Sequence, residues 1–365
     1  MNFSAIDFRD SSSIVASPFI FFLAVIVAIL SCIIVKLLIQ KYQDVGRLDV
    51  PNQRSMHISV TPTGAGIVIA GFLLLVSIYL TISLVSVQFF AFTVVIFMLA
   101  FVGWQDDKSN LSISSRLTTF LVLSLITVLA VGVVDQIKLG QTYTLLLPFP
   151  IAALLTVLGF IWLLNLYNFM DGMDGLAAMQ TIIAASAFLV IFSKIAFFEN
   201  NFFDELTYSS SLALFCIILI AATVGFLVWN WSPAKIFLGD VGSLPVGGFF
   251  ALCTIIAVKH LDVSLFSCFL ILGVFIFDAT YTLISRKLRG EKITEAHRSH
   301  IYQRLAGVGL SHRLIVTVYA AIMMLLSSAA ILWEWQLING VFTSALALIS
   351  VLFMLLWVKR LERSV

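Results

Sequence analysis

Apolar runs of about 20 residues recur along almost the whole chain, and they limit its fold more than any other feature of the sequence. A helix of that length crosses the roughly 30 Å hydrocarbon core of a bilayer. We place eleven such spans by hydropathy. They cover residues 17–39, 65–87, 89–104, 116–134, 144–164, 176–198, 210–229, 244–258, 263–284, 314–333 and 337–358. The sequence therefore predicts an all-α integral membrane protein, with residues 1–365 forming a single polytopic domain.

Composition excludes the soluble classes of protein. Of the 365 residues, 61% are hydrophobic and 11% are charged, and the mean hydropathy is +1.09. Ordinary soluble domains carry about 25% charged residues. A membrane β-barrel is excluded as well, because its strands alternate apolar and polar residues. The net charge of +2 gives no reason to expect a nucleic-acid partner.

Basic residues are divided unequally between the two sides of the predicted bundle. Of the 21 Lys and Arg residues, 17 fall on one side and 4 on the other. By the positive-inside rule the first side is cytoplasmic, so the amino terminus is periplasmic and the carboxyl terminus is cytoplasmic. The inner loops hold nearly every cluster of Asp, Asn, His, Gly and Pro, so we expect the active site to face the cytoplasm. These loops are 40–64, 105–115, 165–175, 230–243 and 285–313.

Acidic side chains mark several inner span ends. Asp106 and Asp107 are adjacent, and such a pair is repulsive unless a cation or a proton accompanies it. A divalent metal or a proton-transfer role explains the pair better than a solvated loop does. On a helix the two carboxylates point in different directions, so we expect only one to face the reacting group. Asp240, flanked by glycines before the eighth span, suits a metal or a phosphate, although alone it is compatible with an ordinary turn.

Other inner-loop residues offer amide or cationic groups. Asn165 and Asn168 are spaced i, i+3 and can share one helical face, and two Asp-Gly pairs follow them. An EF-hand is excluded, because its alternating oxygen ligands and terminal Glu are absent. In the first inner loop, Arg54 and His57 can bind an anion or can simply belong to a turn with topology-setting cations.

The longest inner loop contains His297, Arg298 and His300, a compact set of donors for a diphosphate. A zinc site is the alternative, but two His at this spacing without Cys or a carboxylate support it weakly. Asp278 lies inside the ninth span, where it is costly unless it is paired or faces a cavity. Asp278 can therefore either pair with a structural partner or belong to the active site, and the sequence leaves both alternatives open.

Four of these patterns, taken in order, resemble the polyprenyl-phosphate N-acetylhexosamine-1-phosphate transferases of glycosyltransferase family 4. They are the Asp-Asp pair, the Asn-x-x-Asn-x-x-Asp-Gly-x-x-Gly-Leu block, the Pro-Ala-Lys-x-Phe-x-Gly-Asp-x-Gly-Ser block and the His-Arg-x-His loop. The resemblance implies transfer of an N-acetylated sugar 1-phosphate from a UDP-sugar to undecaprenyl phosphate, with release of UMP. It also implies the first membrane step of O-antigen or related cell-envelope polysaccharide synthesis, in the bacterial cytoplasmic (inner) membrane.

The same resemblance implies roles for particular residues. These are catalysis for Asp106, Asp107 and Asp240, metal binding for Asn168 and Asp240, lipid-phosphate binding for Arg116, uridine binding for Gly172, Asp174 and Phe237, and diphosphate or sugar binding for His297, Arg298 and His300. The implied ion is Mg²⁺, with Mn²⁺ as the alternative, and Asp106 matches the residue that deprotonates the lipid phosphate. We favour direct attack by that phosphate over a phosphoryl-enzyme. Membrane lipids are further expected partners, and a homodimer is left open.

Two departures from the family pattern leave the sugar open. Asn110 stands where some members carry Asp or Lys, and the His-Arg-Ser-His loop stands where others have three consecutive His. The alternative from another class is a cation-coupled secondary transporter. Its coupling carboxylates should lie near the bilayer midplane, whereas Asp106, Asp171 and Asp240 lie at predicted span ends.

Single cysteines at Thr207 and Ser299 test the predicted topology. We expect a membrane-impermeant maleimide to label the first from the periplasmic side and the second from the cytoplasmic side, because of the distribution of basic residues. The unsubstituted protein, whose 4 cysteines lie in apolar runs, is the control for background labelling. Labelling of both positions from the same side would contradict the predicted number of spans.

Overall fold

The computed structural model describes residues 18–45, 48–49, 60–138, 143–198, 207–292 and 297–363. The helices in these ranges are α1 (Pro18–Val45), α2 (Gly66–Leu84), α3 (Val87–Ser109), α4 (Ile113–Val131), α5 (Phe149–Met170), α6 (Leu176–Phe198), α7 (Tyr208–Asn230), α8 (Asp240–His260), α9 (Leu265–Ile271), α10 (Gly273–Leu288), α11 (Ile301–Gly307), α12 (His312–Glu334) and α13 (Gly340–Glu362). Two short antiparallel hairpins pair β1 (Leu48–Asp49) with β2 (Thr61–Pro62), and β3 (Gln136–Lys138) with β4 (Thr144–Leu146). Arg54 and His57 lie outside the described residues.

Ten of the described helices are each long and apolar enough to cross a bilayer, which confirms the prediction of an all-α integral membrane protein. The ninth predicted span, 263–284, is different. It consists of α9 and α10, which meet at a bend of 81°. The bend falls at Leu272, between the end of α9 and Gly273 at the start of α10. A hydropathy window measures composition alone, and therefore cannot detect a break between two equally apolar helices.

α8 is the central helix of the bundle. All of its most apolar window is buried, whereas α1, α4 and α13 lie at the periphery with most of their surface open to lipid. α8 packs most extensively against α3 and α5, and glycines allow the backbones to approach closely. A Cβ added to Gly103 of α3 would lie 2.2 Å from the carbonyl oxygen of Asp240, and one added to Gly66 of α2 would lie 2.2 Å from the Cα of Gly242.

Helix ends extend past the predicted spans at the positions that carry charge. The third span was predicted as 89–104, but α3 continues to Ser109, so Asp106 and Asp107 belong to its last turns. Asn110 ends the helix in the left-handed region, with φ of 50°, and donates its N–H to the carbonyl oxygen of Asp106. α8 likewise begins at Asp240 rather than at residue 244. A span predicted from hydropathy ends before a charged residue, whereas the backbone hydrogen bonds of a helix can continue through it.

Gly103→Ala tests the close packing of α3 on α8. The added methyl group would overlap the backbone of Asp240, so we expect a loss of about 1–3 kcal/mol in stability. The measurement is the apparent Tm of the detergent-solubilised protein. Gly71→Ala in α2 is the matched control, because a Cβ there meets no atom within 4 Å, and its Tm should be equal to or above that of the wild type. Equal Tm values for the two variants would contradict the close contact.

Candidate active site

The predicted inner loops meet at one end of the bundle, which we call the site end and define by Asp107, Asn168 and Asp240. These residues come from the end of α3, the end of α5 and the start of α8. The opposite end carries two ion pairs, in which Lys259 is 2.6 Å from Asp135 and Lys138 is 2.8 Å from Asp262. Parts of three loops that are distant in sequence are therefore brought together.

Asp107 caps the amino-terminal end of α8 from a different helix. Its Oδ1 accepts a hydrogen bond from the N–H of Asp240 at 2.8 Å, and its Oδ2 accepts one from the N–H of Val241 at 3.1 Å. The first amides of a helix have no partner within it, and the helix dipole favours negative charge there. Gly239, with φ of 76°, leaves the room that this contact needs, because a Cβ would lie 2.7 Å from Oδ2 of Asp107.

Asp106 points in another direction, as the helical spacing predicts for adjacent residues. It is 7% exposed, and its Oδ1 accepts a hydrogen bond from the N–H of Leu111 at 2.7 Å. Its Oδ2 is 2.9 Å from Nη1 of Arg116, in the first turn of α4. The same Nη1 is 3.9 Å from Oδ2 of Asp240. The Arg116 guanidinium therefore lies between two carboxylates from different helices.

Asn168 completes this set from α5. Its Nδ2 donates to Oδ1 of Asp240 at 2.6 Å and to Oγ of Ser243 at 3.2 Å. Its Oδ1 accepts a hydrogen bond from Nη2 of Arg116 at 3.5 Å. Asp106, Arg116, Asn168 and Asp240 thus form one connected polar cluster built from four helices.

Several carboxyl groups lie close together in and around this cluster, those of Asp106, Asp107, Asp171 and Asp240. Asp171 follows α5 directly, and its carboxyl has a pKa well above the usual range because of burial and then because of the charges of Asp240 and Asp107, although the N–H of Gly239 opposes the shift. In the described part of the chain, no three Asp, Glu, His or Cys side chains form a set of metal ligands. A cation at this position could take oxygen ligands from the carboxylate of Asp240 and from the amide of Asn168.

Asp174, predicted to lie near uridine, binds protein donors in the structure. Its Oδ2 accepts a hydrogen bond from the N–H of Ala234 at 3.2 Å and is 3.3 Å from Nδ1 of His312. Burial alone would raise the pKa of Asp174, but the hydrogen bond and charge of His312, with the Ala234 N–H, bring the pKa below its usual value. Asp174 therefore joins the third and fourth loops to the start of α12.

Gly172 and Phe237, also predicted near uridine, take part in backbone contacts at the site end. A Cβ on Gly172 would lie 2.2 Å from the hydroxyl of Tyr302, so the absent side chain makes room for this tyrosine. Phe237 is half-buried, and its N–H donates to the carbonyl oxygen of Pro62 at 2.8 Å. Its own carbonyl oxygen accepts from the N–H of Gly64 at 3.1 Å. The fourth loop is thus attached to the segment that leads into α2.

The fifth loop lies against the end of α5. His300 is 3% exposed, with Nδ1 3.3 Å from Oδ1 of Asp278, and its ring centroid is 6.1 Å from that of Phe169. The ring of His297 is 5.0 Å from that of His300. Burial, followed by nearby positive charge, lowers the pKa of His297 to about 4, so this ring is neutral at pH 7. Arg298 is exposed.

Four residues of the site received no role from the sequence, although Asp171 and Ser243 stand within the quoted motifs. Asp171 and Ser243 lie three residues after Asn168 and Asp240, so a search for the same helical face would have found them. Tyr302 contacts Phe169, and His312 contacts Asp174, each across more than 100 residues of the chain, so local spacing could not connect them.

Comparison with known proteins agrees with the order of these motifs. The family model described as glycosyl transferase family 4 matches residues 89–258, which include the Asp106, Asn168 and Asp240 segments. A probable undecaprenyl-phosphate N-acetylglucosaminyl 1-phosphate transferase of Bacillus subtilis (strain 168) is 31% identical over 84% of this chain and 83% of its own length. A phospho-N-acetylmuramoyl-pentapeptide-transferase of Geobacillus sp. (strain WCH70) is 31% identical over 71% of this chain and 80% of its own. The chain therefore belongs to glycosyl transferase family 4, as a multi-pass membrane enzyme of the polyprenyl-phosphate sugar-1-phosphate transferase type.

Proposed function

We propose that the protein transfers an N-acetylhexosamine 1-phosphate from a UDP-sugar to undecaprenyl phosphate and releases UMP. The observation that carries this proposal is the polar cluster of Asp106, Arg116, Asn168 and Asp240, assembled from four helices at one end of the bundle. Both substrates are anions, so a transferase needs cationic groups and a fixed geometry where they meet. The relative in Bacillus subtilis, whose name specifies undecaprenyl phosphate, supports this choice of acceptor.

Asn168 and Asp240 are our proposed ligands for Mg²⁺ or Mn²⁺. These ions prefer oxygen ligands, and the excess of carboxylates at the site end favours a cation there. The Nδ2 of Asn168 faces Oδ1 of Asp240 at 2.6 Å, and a half-turn of the amide would bring its oxygen to that position. When bound, the ion would neutralise charge on the diphosphate.

Arg116 and Asp106 are our proposed groups for the lipid phosphate. A guanidinium binds a phosphate through two parallel hydrogen bonds, and Arg116 already lies between the carboxylates of Asp106 and Asp240. With Asp106 accepting its proton, an oxygen of the lipid phosphate attacks the phosphorus that bears the sugar. The bond from that phosphorus to the bridging oxygen breaks, and the bridging oxygen leaves with UMP.

The fifth loop is our proposed binding site for the donor diphosphate and sugar, with Arg298 as the cation. We propose that the site end faces the cytoplasm of a bacterial inner membrane, because 17 of the 21 basic residues fall on that predicted side. The product would start an O-antigen or a related cell-envelope polysaccharide.

Membership of a transferase family and the position of the carboxylates both argue against the secondary transporter. Asp106, Asp107 and Asp240 lie at helix ends, whereas coupling sites in transporters lie near the bilayer midplane. Asp278 does lie inside a predicted span, but its oxygens accept hydrogen bonds from protein donors rather than facing a cation pathway.

The direct test supplies purified protein with undecaprenyl phosphate and a panel of UDP-sugars, and measures UMP release. We expect turnover with a UDP-N-acetylhexosamine or its 6-deoxy derivative and none with UDP-muramoyl-pentapeptide, since the chain lacks three consecutive His in the fifth loop. Efficient use of the muramoyl pentapeptide would overturn the sugar assignment. No UMP release with any donor would overturn the transferase proposal.

Asp240→Asn tests the proposed metal ligand. The backbone N–H of residue 240, which binds Asp107, is kept, so the fold should survive. Loss of one charge at a phosphoryl-transfer site should lower turnover by about two to three orders of magnitude and raise the Mg²⁺ concentration needed for half-maximal rate.

Asp262→Asn is the matched control, because Asp262 is an exposed carboxylate paired with Lys138 at the opposite end. Its turnover and Mg²⁺ dependence should equal those of the wild type. If the Asp240 variant keeps an unchanged Mg²⁺ requirement at near-normal rate, Asp240 is not a metal ligand.

A further inference from the structure

Asp278 is fully buried inside α10, and the proposed reaction gives it no role. Its Oδ1 accepts a hydrogen bond from the N–H of Ile301 at 2.9 Å. Its Oδ2 accepts hydrogen bonds from the N–H of Tyr302 at 3.2 Å and from the hydroxyl of Tyr319 at 2.8 Å. Nδ1 of His300 is 3.3 Å from Oδ1. Burial of a carboxylate is costly unless hydrogen bonds compensate for the lost water, and here the donors come from the fifth loop and α12. Asp278 is therefore a structural partner of the fifth loop.

The donors on Asp278 are the first two backbone amides of α11, which have no partner within that helix. Asp278 thus caps α11 from a neighbouring helix. The other end of α11 is also held, because Nε and Nη2 of Arg304 donate to the two carboxylate oxygens of Glu362 at 2.7 and 2.6 Å. α11 is therefore attached to α10 at its start and to the end of α13 near its finish.

Tyr302 connects this anchored helix to the polar cluster. Its hydroxyl donates to the carbonyl oxygen of Phe169 at 3.1 Å and fills the space that Gly172 leaves open. Phe169 is the residue after Asn168, which hydrogen-bonds Asp240. A continuous set of contacts consequently runs from Asp278 through Tyr302 to the end of α5.

We propose that Asp278 is a positioning residue for the donor substrate. By fixing the start of α11, it holds the segment 297–300 against the end of α5, so that Arg298 keeps a set distance from Asn168 and Asp240. Asp278 does not touch the substrate, and acts through the backbone of Ile301 and Tyr302. This inference rests on the proposed transferase reaction and on the fifth loop as the binding site for the donor.

The chain offers a matched control for loss of a helix-capping carboxylate. Glu334, at the end of α12, accepts hydrogen bonds from the N–H of Ser264 at 2.9 Å and from Oγ of Ser267 at 2.5 Å. It therefore binds the start of α9 as Asp278 binds the start of α11. Its position at the end opposite the site separates damage to the fold from damage to the fifth loop.

The experiment compares Asp278→Asn, Tyr302→Phe and Glu334→Gln in detergent. KM for the UDP-sugar and for undecaprenyl phosphate, the affinity for UDP and the apparent Tm are measured for each variant. An asparagine presents an N–H group to donors, so we expect D278N to raise the donor KM about ten- to hundredfold and to weaken UDP binding in parallel. Its KM for undecaprenyl phosphate should stay unchanged. E334Q should lower the Tm while both KM values and the UDP affinity stay at wild-type levels.

Y302F keeps the backbone contacts of Asp278 and removes one hydrogen bond to Phe169, so we expect a several-fold rise in donor KM alone. This variant decides the question if D278N fails to fold. An unchanged donor KM and UDP affinity in folded D278N, or in Y302F when D278N is unfolded, would overturn the positioning role while leaving the transferase proposal intact. A wild-type protein without turnover for any donor would instead remove the proposed function and this inference with it.

Discussion

The contact between Asp107 and the start of α8 is the interaction on which the geometry of the site depends. Two backbone amides at the start of α8 donate to this one carboxylate of α3. The contact fixes the first turn of α8, and with it the position of Asp240, relative to α3. The contact is close enough to require glycine on both sides, at Gly103 in α3 and at Gly239 before α8. Stability of the central packing and orientation of the Asp240 carboxylate therefore arise from the same few atoms.

Concentration of negative charge is the electrostatic counterpart of that geometry. Arg116 lies between the carboxylates of Asp106 and Asp240. Burial, followed by the charges of Asp240 and Asp107, raises the pKa of Asp171 well above its usual range. Such an arrangement is costly in an apolar bundle. It is suited to a reaction between two anions, because a cation bound there would be attracted both by the protein carboxylates and by the anionic substrates.

Several polar side chains at the site end join separate segments of the protein. Asp174 joins the backbone of Ala234 to His312, and His300 is directed at Asp278. These contacts order loops that would otherwise have to be ordered by the substrate, at a cost in binding energy. A rigid frame of this kind supports catalysis, since both phosphates must be held in line for transfer.

The sequence by itself determined the membrane class, the approximate spans and the order of the motifs, because apolar length and local spacing are properties of neighbouring residues. It also indicated that Asp106 and Asp107 diverge, which follows from helical geometry alone. Only the tertiary structure decided that α9 and α10 bend by 81°, that Asp107 caps α8 and that Asp278 caps α11. The two caps depend on contacts between different helices, and the close approach of α3 to α8 requires glycine, because a Cβ would overlap the neighbouring backbone. Hydropathy and spacing carry no information about such contacts, so the partner of each buried carboxylate could be found only once the helices were packed.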